Sequence, residues 1–243
     1  MVRSVRDDAN ILGYGNVYPI ADIGELSARL KPGTAYHRIG NYFYYNDFES
    51  GFGLIKLNLA PGNNTAFLSN DEAFSGTVSL HLESDVHQYD YSEFAVILPP
   101  LIWTSFGSSF AFKCPSTIGV IYFYIRVVWY PYVIQAGIKY KDIPQQWTAV
   151  RTDLLETVIA TGVEVAKSDV LWHHIYFSFD AAKRTFKKLI YDGIEMDISS
   201  ITINQMATTE PSHIVMAVSA WGDSVHATDM YVDTVAFSQN VEH

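Results

Sequence analysis

The 243-residue chain holds a single cysteine, Cys114, so no intrachain disulfide is available and the fold must rest on its core. No basic cluster surrounds Cys114, which reads as a small buried side chain rather than a reactive thiol. Charge is scarce as well, at 17% of residues, and its balance is −10. Such a chain lacks the basic footprint of nonspecific nucleic-acid binding and is disfavoured on anionic lipid. Long apolar runs are missing too. The most apolar stretch, residues 118–138, contains Arg126, Pro131 and Gln135 among β-branched and aromatic residues, and reads as consecutive strands rather than a membrane helix. No apolar run follows Met1-Val2-Arg3-Ser4-Val5-Arg6, so the expectation is a soluble protein without a secretory signal. No His-x-x-x-His, Cys-x-x-Cys, Gly-x-Ser-x-Gly or phosphate-cradling glycine loop occurs, and no fixed-period repeat.

What the chain does have is apolar and aromatic mass. Hydrophobic residues make up 49%, and Tyr and Phe (16 and 14) dominate the aromatics, a composition suited to pleated sheets with a large core. Strand candidates run over 42–49, 53–59, 76–83, 94–98, 109–113, 119–129, 132–140, 147–152, 171–180, 185–191, 194–198, 213–221 and 230–238. Turn residues recur between them at the spacing of an all-β sandwich. A helix is plausible at 153–160, although its β-branched end suits a strand or loop nearly as well. Residues 1–40 differ: Gly13, Gly15, Pro19, Pro32 and Gly33 punctuate them, and one short helix fits 22–30. The expected organisation is an N-terminal arm over 1–40 followed by a β-sandwich domain over 41–243.

The richest local pattern is Trp172-His173-His174-Ile175-Tyr176-Phe177-Ser178-Phe179-Asp180, then Lys183-Arg184-Thr185 and Tyr191-Asp192-Gly193. It reads as a β-hairpin with a second turn at Asp192-Gly193, with Ile175, Phe177 and Phe179 on one face and Tyr176, Ser178 and Asp180 on the other. The block resembles the late strands of laminin-G-like and concanavalin A-like jelly rolls. Tyr45-Asn46-Asp47-Phe48-Glu49-Ser50-Gly51 is similar to the first strand of bacterial and phage-borne modules of that kind. The resemblance implies an all-β, two-sheet antiparallel jelly-roll sandwich, most members of which bind ligands and a minority of which hydrolyse sugars.

Glu195-Met196-Asp197 resembles the opening of the Glu-x-Asp-x-x-Glu strand of laminarinase-type retaining glycosidases. There the three acids share one strand face as nucleophile, assistant and acid/base. Ser200 stands where the third acid belongs, leaving no general acid for the departing group. His173 and His174 point to opposite strand faces and do not chelate one ion readily, while His213 and His226 are isolated in sequence. The jelly-roll resemblance also implies a calcium site between first and last strands, which here falls on Asp47 and Asp233. Aromatic residues near loops suit stacking on a sugar ring. The ligand candidates are Trp221, Asp223, Tyr130 and Trp103, with Trp129 and Tyr132 beside them; Trp147 and Trp172 are expected between the sheets.

The segment Ala21-Asp22-Ile23-Gly24-Glu25-Leu26-Ser27-Ala28-Arg29-Leu30, then Tyr36-His37-Arg38-Ile39-Gly40-Asn41 and the 47–51 turn, looks like a group of phage-type structural proteins in which an acidic helix, a Tyr-x-Arg-x-Gly-Asn segment and a jelly roll follow in this order. The leading expectation is a non-enzymatic, homo-oligomeric virion subunit, capsid-decorating or tail-associated, docked through its arm on other protein subunits and assembled in the host cytoplasm. A free-standing carbohydrate-binding module, calcium-stabilised or not, is the alternative, and a laminarinase-type enzyme the third reading.

Overall fold

A computed structural model describes residues 41–87, 90–99 and 104–239. The arm, its helix and Trp103 lie outside them. The described strands, in chain order, are β1 (Asn41–Asn46), β2 (Ile55–Leu59), β3 (Thr65–Ser69), β4 (Ser79–Glu83), β5 (Tyr91–Leu98), β6 (Ser105–Lys113), β7 (Val120–Trp129) and β8 (Tyr132–Lys141). They continue as β9 (Gln146–Val150), β10 (Glu156–Thr161), β11 (His173–Asp180), β12 (Thr185–Tyr191), β13 (Ile194–Met196), β14 (Met206–Ala207), β15 (His213–Trp221) and β16 (Asp229–Gln239). Two eight-stranded antiparallel sheets result. The first runs β13-β12-β11-β6-β16-β4-β3 with β1 beside β16; the second runs β10-β9-β8-β7-β15-β5-β2 with β14 beside β8. This is the all-β, two-sheet jelly-roll sandwich expected from the sequence. Among the described residues no helix is long and apolar enough to cross a membrane.

Period-two alternation builds the core. Ile121, Phe123, Ile125 and Val127 of β7 face inward, as do Phe106, Phe110 and Phe112 of β6 and Ile175, Phe177 and Phe179 of β11, and all are buried. Phe123 bridges the sheets, with ring centroids 5.1 Å from Phe110 and 5.3 Å from Phe112. Trp147 and Tyr191 join them again at 4.8 Å. Trp147 is buried as expected and donates its indole N–H to the Val163 carbonyl at 3.0 Å. Trp172 is not between the sheets. It precedes β11 half-buried on the outer side, against Phe74 at 5.9 Å and under the Lys113 ammonium at 5.8 Å. Its place follows from parity: it alternates with inward-facing His173.

The helix considered at 153–160 is a tight turn and a strand. Leu154 N–H closes the turn on the Arg151 carbonyl at 2.9 Å with Leu154 at φ 63°, and Glu156–Thr161 then pairs with β9. Thr157, Val158 and Ile159 form a β-branched run that fits an edge strand better than a helix. The Asp192-Gly193 turn is built as expected, both residues having positive φ (47° and 82°), the conformation a two-residue type I′ hairpin requires.

His173, inward-facing on β11, is clamped at that turn. Its Nδ1 lies 2.6 Å from Asp192 Oδ2 and 2.9 Å from the Tyr191 hydroxyl, and its Nε2 lies 2.9 Å from the Ala166 carbonyl. With acceptors at both ring nitrogens, the surroundings favour the protonated ring. Burial opposes the charge, yet the Asp192 and Ala166 hydrogen bonds outweigh it and raise the His173 pKa.

Candidate functional site

The outer face of the second sheet gathers the polar and aromatic residues that alternate with its core positions. Register places Asn58, Glu93, Ser219, Tyr122 and Lys139 opposite one another in one transverse row over β2, β5, β15, β7 and β8. The adjacent row holds Lys56, Ala95, Ala217, Tyr124 and Gly137. At about 4.8 Å between strands, five strands span roughly 19 Å.

Glu93 is the centre of this face, only 8% exposed. Asn58 Nδ2 donates to its Oε1 at 2.8 Å; the Tyr124 hydroxyl and Ser219 Oγ donate to its Oε2 at 3.0 and 2.7 Å. Three donors fix one carboxylate, the arrangement under which a nearly buried charge is tolerated. Tyr122 and Tyr124 stack with centroids 5.1 Å apart, and Gln135 Nε2 donates to the Tyr122 hydroxyl at 2.8 Å. Burial, first of all, pushes both phenols above their ordinary pKa. Gly137 is what lets Tyr122 lie against the sheet: a Cβ there would sit 2.4 Å from the ring. The Lys139 ammonium lies 5.4 Å from the same ring.

Toward the margins, charges are paired off. Lys139 and Lys141 each reach Glu156 at 2.7 Å, and Arg126 reaches Glu210 at 2.6 Å. Burial works against the Glu156 charge, but the hydrogen bonds from Lys139 and Lys141 prevail and lower its pKa. The face therefore gathers hydroxyls, amides and rings around one pinned carboxylate, with Ser219, Tyr122 and Glu93 themselves buried.

Of the described residues singled out from the sequence, Trp221 shares this face, two residues along β15 from Ser219, whereas Tyr130 lies at the far end of the sheet. Trp221 pairs with Val120 at one end of the ten-residue strand β7, while Tyr130 follows Trp129 at the other. At about 3.4 Å per residue they are roughly 30 Å apart. Trp221 stacks on Tyr91 at 5.1 Å, and its buried indole N–H has no hydrogen-bond partner among the described residues. Asp223 Oδ1 accepts the Val225 and His226 amides, both at 2.6 Å, so this carboxylate closes a turn. Burial would raise its pKa, but those amides outweigh it and lower it. Tyr130 is 63% exposed at the β7–β8 turn.

Asp47 and Asp233 both lie near Tyr45 and help raise its pKa, after burial, the larger cause. As placed they do not fit a calcium ion. Asp233 is fully buried, and its Oδ2 accepts the Phe74 and Ser75 amides at 2.8 and 2.9 Å. Its Oδ1 accepts the Thr234 amide and hydroxyl at 2.6 and 3.2 Å. Hydrogens point at both oxygens where a cation would need open lone pairs. Burial still pushes the carboxyl up to about 6. Asp47 Oδ1 accepts the Glu49 amide at 3.3 Å. No group of three or more His, Cys, Asp or Glu gathers around a metal position among the described residues. Glu195 lies on the short terminal strand β13 of the first sheet and pairs with Lys188 at 2.8 Å; Asp197 accepts the Ser199 amide and hydroxyl at 2.9 and 2.7 Å. Neither joins a catalytic carboxylate pair.

The signal that would have found the outer face is the polar parity of the central strands: Tyr122-x-Tyr124-x-Arg126 and Gln135-x-Gly137-x-Lys139-x-Lys141. Only strand order adds Glu93, Asn58 and Ser219.

No protein-family model matches the chain, and no curated protein matches it. Solved structures do. The cellulose-induced protein Cip1 superposes with a TM-score of 0.57 at 14% identity, over 81% of this chain and 97% of that one. The carbohydrate recognition domain of Emp46p in its potassium-bound form gives 0.52 at 11%, over 81% and 93%. A carbohydrate esterase from the Shiga toxin-encoding bacteriophage phi24B gives 0.54 at 10%, over 83% and 99%. At these identities the likeness defines the fold, and the fold is a lectin-like, concanavalin A-like jelly roll.

Proposed function

We propose that the chain is a non-catalytic carbohydrate-binding protein whose glycan lies on the outer face of the second sheet. The observation that carries this reading is Glu93, held by Asn58, Tyr124 and Ser219 beside the stacked Tyr122–Tyr124 pair. A pinned acceptor next to aromatic rings matches the alternating hydroxyl and C–H faces of a sugar. The acids speak against glycoside hydrolysis: retaining and inverting mechanisms both need two carboxyl groups across the scissile bond. Among the described residues Glu93 has no second carboxyl beside it at the centre, while Glu156 and Glu210 are tied to cations. The fold likeness to a carbohydrate recognition domain supports the class of ligand. Binding on a glycan array tests it: wild type should retain a hit that Tyr124→Phe weakens and Glu93→Gln weakens further. A hit unaffected by either variant refutes the placement.

In this reading the protein serves as a subunit of a larger, virion-type assembly, with residues 1–40 as the docking arm on neighbouring copies. The motif order of residues 21–51 supports it. Native mass measurement decides: a megadalton particle is expected, and a monomer retaining the arm would refute it.

A further inference from the structure

The β7–β8 turn ends the second sheet in three wetted rings. Trp129, Tyr130 and Tyr132 are 43%, 63% and 48% exposed, and Trp129 pairs with Tyr132 across the two-residue turn of Tyr130 and Pro131. The turn is tied down on both sides. Tyr130 N–H donates to Ser212 Oγ at 3.1 Å, and Thr208 N–H donates to the Pro131 carbonyl at 2.8 Å. Strand β14 pairs with Val133 and Tyr132 and brings Met206, itself 45% exposed, alongside. Side chains this wet add little to the core, and rings this well anchored lose little freedom when a ligand covers them.

Area and charge decide what kind of ligand fits. At about 200 Å² per aromatic side chain, the exposed fractions amount to roughly 300 Å². A stable protein interface covers about 800 Å² on each partner, so the patch is too small for a second copy and large enough for one or two sugar rings. The nearby Arg126–Glu210 pair, at 2.6 Å, is neutral as a unit and offers nothing to an ionic partner. The rings present faces for the apolar side of a pyranose, with the hydroxyls of Ser212 and the tyrosines at their margin. Trp129 and Tyr132 fall on the parity of core-facing residues, whereas Tyr122 and Tyr124 face outward. Trp129 is also five residues along β7 from Tyr124, about 17 Å away. The platform is therefore separate from the Glu93 face.

We propose that Trp129, Tyr130 and Tyr132 form a second, outlying platform for neutral glycan, so that a long polysaccharide engages the protein at two points. The ligand class rests on the reading above; the platform itself stands on its exposed, anchored rings. Two linked contacts on one polymer strengthen apparent binding beyond either alone.

The test is affinity electrophoresis of the full chain in native gels containing soluble β-glucan, xylan or galactomannan. The triple variant Trp129→Ala, Tyr130→Ala, Tyr132→Ala should lose about tenfold in apparent affinity for whichever polymer retards wild type, the loss expected from one or two ring stackings. Its thermal midpoint should stay where it was, showing that the fold is intact. Equal retardation of triple variant and wild type overturns the platform, as does a triple variant that sediments as a monomer where wild type is a dimer. Loss in the triple variant with none in Glu93→Gln supports the platform and removes the outer-face site; the reverse pattern removes the platform alone. Wild type that no polymer retards overturns both.

Discussion

Replacing Asp192 by Asn should reverse the way stability depends on pH, because it removes the counter-charge of a buried imidazolium. The His173 side chain is 2% exposed, and it holds three elements at once: its own strand, the Asp192 turn and the 162–172 connection through the Ala166 carbonyl. Around the ring lie Tyr191, Asp192, Phe112 and neighbouring His174, whose backbone N–H donates to Asp192 Oδ1 at 2.7 Å. Asn keeps the turn, since it tolerates the positive φ of position 192, and it keeps an acceptor, so the change isolates the charge. Loss of a charged hydrogen bond at a buried group costs about 2–3 kcal/mol. The sign follows from linkage. His173 has a folded pKa above its unfolded value of about 6.5, so its contribution is complete below pH ~6.5 and is lost as pH rises through the folded pKa. Within that window the native state holds one more proton than the unfolded chain, and stability should fall by up to about 1.4 kcal/mol per pH unit. In the variant burial acts unopposed and pushes the His173 pKa down, so stability should instead rise with pH through about 6.5. Urea unfolding followed by tryptophan fluorescence from pH 5.5 to 8.5 reads both slopes. Parallel curves for wild type and variant would refute the imidazolium.

Gly137→Ala should destabilise by about 1–3 kcal/mol and weaken any ligand bound beside Tyr122, because the new methyl meets the ring at 2.4 Å; chemical unfolding and binding titration report the two effects. Phe177→Ala should cost about 3–5 kcal/mol, as for any fully buried aromatic truncated to a cavity, checked by the urea midpoint. Cys114 is fully buried, and burial foremost raises its pKa, so an aromatic disulfide reagent should label it only after unfolding. Adding calcium or a chelator should leave the thermal midpoint unchanged, since amide donors already saturate Asp233; a rise with calcium would restore the metal site.

What the sequence made legible, and what it hid, follows from the range of the interactions concerned. Hairpin β11–β12, the Asp192-Gly193 turn and the opposite facing of His173 and His174 depend on residues close in the chain, and alternation plus turn chemistry was enough to read them. The strands left unread, β3, β10 and β14, are all at or beyond the ends of the sheet paths, where one-sided pairing relaxes the pattern. The site is the opposite case. Tyr122, Tyr124 and Gln135 belong to one hairpin, but Glu93 reaches them only through β15, and Asn58 lies one strand further still. Nothing local marks Glu93, flanked by Ser92 and Phe94, as different from any other strand carboxylate. The aspartates drew attention for the converse reason: an acid in a turn looks the same in sequence whether its oxygens face a cation or backbone amides. Asp223 and Asp233 both took the second course, each with at least two amides within 2.9 Å. A carboxylate beside exposed loop amides satisfies donors that would otherwise be stranded, and that local use is available to every turn acid without a ligand. Glu93 has no such local use: all three of its donors are side chains from other strands, 31, 35 and 126 residues away, and the sheet had to form before any of them could meet it.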